Sequence, residues 1–186
     1  MSTTRTKIVF FFLLFLLPSW VYSQEQGKFF TQNFFPKDYH AAPQVWGFAQ
    51  DVRGFIYFGT EDGITEYDGV NWNLIRTANK STVRSLVTNN EGQIFIGAVG
   101  DFGYLNPDSV GMLKYVSLLE KIPEEDRDFG DVWRTVELDG TIYFQTNQKI
   151  IRWENGEAKV WKTPSALYNP RRITDSSPVS STIYSC

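Results

Sequence analysis

The stretch "DVRGFIYFGTEDGITEYDG", Asp51 to Gly69, sets two short apolar runs between closely spaced glycines. "VWGFAQD", Val45–Asp51, leads into it with β-branched and aromatic residues, strand-forming types that end on an acid. "DVRG" has turn chemistry, with Asp at the first position and Gly at the last. "FIYFGT", Phe55–Thr60, is apolar on both faces, as a strand buried between two layers must be. After the "EDG" turn, "ITEYD", Ile64–Asp68, alternates and predicts a half-exposed strand. Asp68-Gly69 predicts a two-residue type I′ hairpin, which needs positive φ at both positions. "NWNLI", Asn71–Ile75, supplies a fourth, outer strand. Gly59, inside the second strand, predicts a bulge or the close approach of a neighbouring backbone.

The pattern recurs. Val83, Gly92, Ile94 and Gly97 follow Val45, Gly54, Ile56 and Gly59 at a constant offset of 38. A third copy spans Val132–Trp161, where Gly140 stands 48 residues after Gly92. The ten extra residues fit an insertion around "KIPEEDRDFG", an acidic surface loop by composition. In this copy Asn147 and Gln148 replace the "EDG" turn, "ENG" replaces "YDG", and Gln145 replaces the bulge glycine. Four-strand units recurring at about 40 residues are the signature of a β-propeller, because a single blade cannot bury both faces alone. The predicted fold is all-β, with three four-stranded antiparallel blades that form an incomplete propeller. The organisation is a leader at 1–23, a lead-in segment at 24–44, repeats at 45–78, 83–116 and 132–161, and a tail at 162–186. "VSLLEKI", Val116–Ile122, is the one short helical candidate.

Trp46, Asp51, Gly54, Ile56, Tyr57, Phe58, Gly59, Thr60, Asp62, Gly63, Ile64, Tyr67, Asp68 and Gly69 together resemble the two-component regulator propeller repeat. The lead-in "FFTQNFFPKDYHAAPQVWGFAQD" and "VGDFGYLNPD" in the second copy are similar to the N-termini of exported sensor-regulators of Bacteroidetes type. The resemblance covers about Phe29 to Trp161. It implies a periplasmic sensor propeller, followed in such proteins by a three-tyrosine β-domain, a membrane helix and a histidine kinase or LuxR-like output. It also implies a glycan or peptide ligand. This chain has no kinase or helix-turn-helix motif after its repeats. It therefore reads as a truncated fragment, without signalling activity of its own.

The N-terminus carries its own address. Arg5 and Lys7 precede the apolar run Ile8–Leu17, Pro18 breaks it, and Val21 and Ser23 stand at −3 and −1 of a cleavage site. A spanning helix needs roughly 20 apolar residues, more than this run has. The expected product is a periplasmic or secreted chain starting at Gln24. Without Arg5 and Lys7 the 18 basic residues fall to 16 against 21 acidic, a net charge of −5. That disfavours nucleic acid as a direct partner. The lone Cys186 allows no intrachain disulfide. From Thr163 on, the alternation stops and Ser, Pro and Thr dominate, a composition that favours disorder or reflects a shifted reading frame.

Chemistry is sparse. The one histidine, His40, lies in the lead-in, so neither a Ser-His-Asp nor a Cys-His set can be assembled. "GAVGDFG", Gly97–Gly103, does not open a helix and reads as bulge and turn glycines, not as a phosphate cradle. "EEDRD", Glu124–Asp128, has calcium-binding residue types without EF-hand spacing and reads as a solvated loop. "NKS", Asn79–Ser81, is a formal glycosylation sequon that reads as a turn. Trp46, Trp72, Trp133, Trp153 and Trp161 have rings that stack on sugars, but their strand positions favour core or inter-blade packing. The expectation is a sensory binding module with no catalytic, metal or cofactor residues, its ligand-binding residues unassigned. The alternatives are a secreted propeller lyase or hydrolase, or a stand-alone adhesive propeller. Unclosed blades are also expected to bare apolar faces that promote self-association.

Overall fold

The computed structural model describes residues 31–163. The leader at 1–23 and the tail beyond Thr163 lie outside them. Twelve strands form three four-stranded antiparallel sheets, each a simple meander. The first blade is β1 (Val45–Gln50), β2 (Ile56–Thr60), β3 (Gly63–Tyr67) and β4 (Trp72–Ile75). The second is β5 (Val83–Thr88), β6 (Ile94–Ala98), β7 (Phe102–Pro107) and β8 (Leu113–Ser117). The third is β9 (Arg134–Leu138), β10 (Thr141–Gln145), β11 (Lys149–Glu154) and β12 (Glu157–Lys162). β1 packs beside β5 and β5 beside β9, whereas the fourth strands barely meet, so the blades fan out from their first strands.

Two apolar layers hold the fan together. Ala49, Tyr57, Ile64 and Ile75 of the first blade meet Val83, Ile96, Ala98 and Leu105 of the second. Phe95 and Phe102 of the second blade meet Ile142, Phe144 and Ile151 of the third. Every residue of β6 is buried, because Ile94 and Ile96 serve the first layer and Phe95 the second. This is the physical meaning of a strand that is apolar on both faces.

The repeat offset marks the closest approach. A Cβ on Gly59 would stand 2.8 Å from both Val83 Cγ1 and Leu86 Cδ1 of the next blade. A Cβ on Gly97 would stand 2.5 Å from Val132 Cγ1 and from Ser85 Oγ. Opposite each glycine the first strand is irregular, between Val45 and Gly47 and between Val83 and Ser85. Gln145 pairs with Arg134 without such a break, so the third blade lacks both the glycine and the bulge.

The D-x-x-G turns are built alike. The Asp51 carboxylate accepts hydrogen bonds from the Arg53 and Phe55 amides. Asn89 does the same for Glu91 and Gln93, and Asp108 for Val110 and Met112. Asp51 is buried, yet its pKa is lowered: desolvation opposes this, and the hydrogen bonds from Arg53, Phe55 and Tyr57 outweigh it. The Tyr57 hydroxyl links this turn to Glu66 on β3.

Several expectations need correction. Asp68-Gly69 is not a two-residue type I′ turn. Tyr67 and Trp72 form the last pair of β3 and β4, which leaves a four-residue loop. Asp68 there accepts from the Val70 and Asn71 amides at 2.8 and 2.6 Å, and only Gly69 has positive φ. Local side-chain bonding to the backbone decides this loop. Both central residues take positive φ in the third blade, at Asp139-Gly140 and at Asn155-Gly156, each bridging a directly paired strand end. β3 is more enclosed than its alternation implies, with Ile64 and Thr65 both buried. Val116–Ile122 is not a helix: Val116 and Ser117 complete β8, and Leu119–Lys121 is one 3-10 turn. The single short α-helix described, α1 (Pro36–Tyr39), lies in the lead-in.

The "EEDRD" loop is solvated at Glu124, Glu125 and Asp128 but docked through Asp126 and its flanking apolar residues. Ile122, Asp126 and Phe129 are buried. The buried Lys149 of β11 donates to the Asp126 and Asp128 carbonyls at 2.9 and 3.3 Å, and its Nζ lies 3.2 Å from Asp126 Oδ1. Lys162 adds a second ion pair to Asp126 at 2.9 Å. A buried ammonium needs such partners, and the loop supplies them.

Two outcomes are expected. Gly97→Ala should cost about 1–3 kcal/mol through overpacking between blades, while Val70→Ser, at a residue 82 % exposed, should stay within about 0.5 kcal/mol. Urea titration of both variants checks the blade contact. For Asp51, a lowered folded pKa means stability that is present above the ordinary value of 3.8 and lost as pH falls through the folded pKa. The stability gap between wild type and Asp51→Asn should therefore be widest near neutrality and close below pH 3.8, as followed by denaturation at stepped pH.

Candidate functional site

The first strands of the three blades bring together side chains that are far apart in sequence. Trp46 sits at the irregular start of β1, and Arg84 occupies the equivalent place in β5, 38 residues later. Trp133 stands just before β9. The Arg84 guanidinium lies 3.9 Å from the Trp46 ring centre and 5.0 Å from that of Trp133. The two indoles are 6.5 Å apart in an edge-to-face arrangement. A cation set between indole faces is held by their negative π surfaces.

Asp131 completes the group. Arg84 Nε donates to its Oδ1 at 2.7 Å. The end of the inserted loop fixes this carboxylate: Gly100 N donates to Gly130 O, Val132 N donates to Ala98 O, and Val99 bridges to Asp131. Beneath it, Ser85 Oγ donates to Val132 O at 2.9 Å and lies 2.8 Å from Thr135 Oγ1. Arg84 Nη1 is shielded from solvent and has no hydrogen-bond partner. Trp46 remains 38 % exposed. The cluster therefore combines a partly exposed indole with a cation anchored by Asp131, and Arg84 Nη1 lies buried between them.

The other tryptophans divide. Trp72 stacks on Tyr67 at 4.3 Å between ring centres and meets Phe34, Tyr39 and Phe58, so the lead-in covers part of the first blade's free face. Trp153 packs against the second apolar layer. Trp161 is exposed on the outermost strand beneath Arg152 and Lys159. Packing is thus the role of Trp72 and Trp153, and Trp46 and Trp133 pack between blades against Arg84, whereas Trp161 lies on the surface.

His40 is exposed at the C-terminal cap of α1 with left-handed φ. Asn79 forms the expected turn, and its Nδ2 donates to Val99 O. Gly97, Gly100 and Gly103 serve close packing and a turn. No group of acids, His and Cys suited to a metal ion occurs among the described residues. Asp101 is buried, which pushes its pKa up; it accepts from Ser117 Oγ at 2.6 Å and from the Phe102 amide. That carboxyl is enclosed within the second blade. An open cleft of about 260 Å³ separates the first two blades near Asp51, Arg53, Glu91 and Asn106. Its Asp51 and Arg53 already satisfy each other at 2.6 Å.

Sequence reading missed Arg84 and Asp131. The offset of 38 from Trp46 was the available signal for Arg84. Asp131 had none, because its place depends on how the insertion docks. Arg84→Gln should cost about 1–2 kcal/mol through lost cation–π contact and the stranded Asp131 carboxylate, and should change tryptophan emission in the folded state.

No family model matches the chain, and no curated protein matches it. Eighteen chains of solved structures do. One is the "extracellular domain of the putative one component system BT4673 from B. thetaiotaomicron", 14% identical with a TM-score of 0.30. The match covers 68% of this chain and 22% of that one, so this chain spans under a quarter of the matched structure's length. The resemblance to regulator propellers thus rests on the repeat residues themselves.

Proposed function

We propose that this chain is a non-catalytic, exported sensory module that binds a ligand on the first strands of its blades, within a two-component-type signalling regulator. The observation that supports this reading is the meeting of Trp46, Arg84, Asp131 and Trp133 from three blades. These side chains offer stacking, charge and directed hydrogen bonding, which are means of recognition. Export rests on the basic, apolar and small-residue order of residues 5–23. Among the described residues no helix is long and apolar enough to cross a membrane. The ligand class in this reading is a glycan or peptide, as the repeat resemblance implies, and signal output belongs to membrane and output domains of the kind that resemblance describes.

A second reading, an interaction module that associates through its blade faces, is favoured by Phe48 at 72 % exposure on β1 and Leu138 at 54 % on β9. Bare apolar side chains on terminal sheets promote pairing with another chain.

Fractionation with N-terminal sequencing should yield periplasmic protein beginning at Gln24. Glycan and peptide arrays should capture the protein, with the bound compound recovered chemically unchanged. Protein still starting at Met1 would defeat the export reading, and turnover of a captured compound would defeat the non-catalytic one.

A further inference from the structure

We propose that the open cleft between the first two blades binds a primary ammonium group carried on a compact body. This site goes beyond the reading above, because it lies at the opposite end of the strands: Arg84 stands at the start of β5, and Glu91 in the turn after its end. Three side-chain-capped turns shape the cleft. Asp51 accepts from the Arg53 and Phe55 amides, Asn89 from those of Glu91 and Gln93, and Asp108 from those of Val110 and Met112. The first two turns touch, since a Cβ on Gly92 would stand 2.9 Å from Val52 Cγ1. The walls are therefore set before any ligand arrives, which lowers the ordering cost of binding. Ile94 and Leu105, each 3 % exposed, form an apolar floor.

The lining divides into engaged and open groups. Arg53 is taken up by Asp51 at 2.6 Å, by the Tyr57 hydroxyl at 2.9 Å and by the Phe55 ring. The Glu91 carboxylate and the Gln93 side-chain amide line the cleft with no hydrogen bond or ion pair among the described residues. Asn106 engages only its Nδ2, with Pro107 O at 3.3 Å, which leaves its Oδ1 open. Asp51 and Arg53 cancel, so Glu91 carries the unbalanced charge of the lining. One carboxylate beside amide oxygens suits an ammonium, which has three donors and no acceptor. It is too few for a divalent cation such as calcium, which takes about six oxygen ligands or more. The mature chain, with 16 basic and 21 acidic residues, also draws cations toward it. At about 260 Å³ the cleft is just under the ~300–1,000 Å³ of ordinary ligand pockets, so the body it admits is a single sugar ring or a single residue.

An amino sugar and the α-amine of an amino acid both carry this chemistry, and the choice of probe separates them. Purified protein would be titrated by calorimetry with glucosamine against N-acetylglucosamine, and with leucine amide against N-acetyl-leucine amide. The titrations run at about pH 6, below the ~8 of an α-amine, so that the free amines are charged. At least one amine should bind about ten-fold or more tightly than its acetylated counterpart, because acetylation removes the charge-assisted hydrogen bond. Glucosamine alone would identify an amino sugar, leucine amide alone an α-amine, and both together the ammonium itself. Binding should shift the amide resonances of Gly92 and Gly111. Glu91→Gln should abolish the preference with the melting transition retained, whereas Glu157→Gln, on the third blade, and Arg84→Gln should keep it. Binding by neither amine, equal binding of the acetylated forms, or a preference that survives in Glu91→Gln would overturn the proposal. A preference lost in Arg84→Gln and kept in Glu91→Gln would overturn it while leaving the sensory reading on the first strands intact.

Discussion

The separation between one blade's second strand and the next blade's first strand governs this structure. At Gly59 and Gly97 that separation is too small for a Cβ: the space is filled by Val83 and Leu86 in one case and by Val132, Ser85 and Thr135 in the other. Close approach brings the apolar layers on either side of β6 into contact, and dense packing is what makes such layers stabilising. It also draws β1, β5 and β9 side by side, which places their opening residues within reach of one another. The repeat spacing of 38 residues is thus a packing constraint written along the chain.

The third blade meets the constraint differently. Its β10 packs inward through Ile142 and Phe144, but Gln145 stands where the earlier blades have glycine. The inserted loop takes up part of the work of joining the second and third blades. Ile122 and Phe129 enter the apolar layer, and Lys149 is surrounded by carbonyls and Asp126. The same loop ends at Gly130–Val132, stitched to the edge of β6 by hydrogen bonds. An acidic segment that composition assigns to solvent therefore positions the carboxylate that fixes Arg84.

The free faces of the terminal blades complete the picture. On the first blade the lead-in lays Phe34 and Tyr39 over Trp72, so the outer part of that face is covered while Phe48 stays bare nearer the fan's apex. On the third blade the free face mixes Val136 and Leu138 with Arg152 and Lys159, a more polar surface than either inner layer. The contrast follows from what each face meets: inner faces meet another sheet, and the outer ones meet water or a short cap.

Sequence alone determined the strand order and the three blades, because period-two patterning, turn residues and glycine spacing act locally and repeat. Gly59 as a point of close approach and the positive φ of Gly69 were legible for the same reason. Asp68-Gly69 was misread because a two-residue rule cannot see that Asp68 will bond the amides of Val70 and Asn71. The tertiary structure decided the rest. Trp46 and Trp133 do pack between blades, as their strand positions implied, and the cation they flank is one that sequence reading passed over. Asp131 joins them from 47 residues beyond Arg84. Such a site depends on where blades stack and how an insertion docks, and those are set by non-local burial, which no stretch of sequence carries by itself.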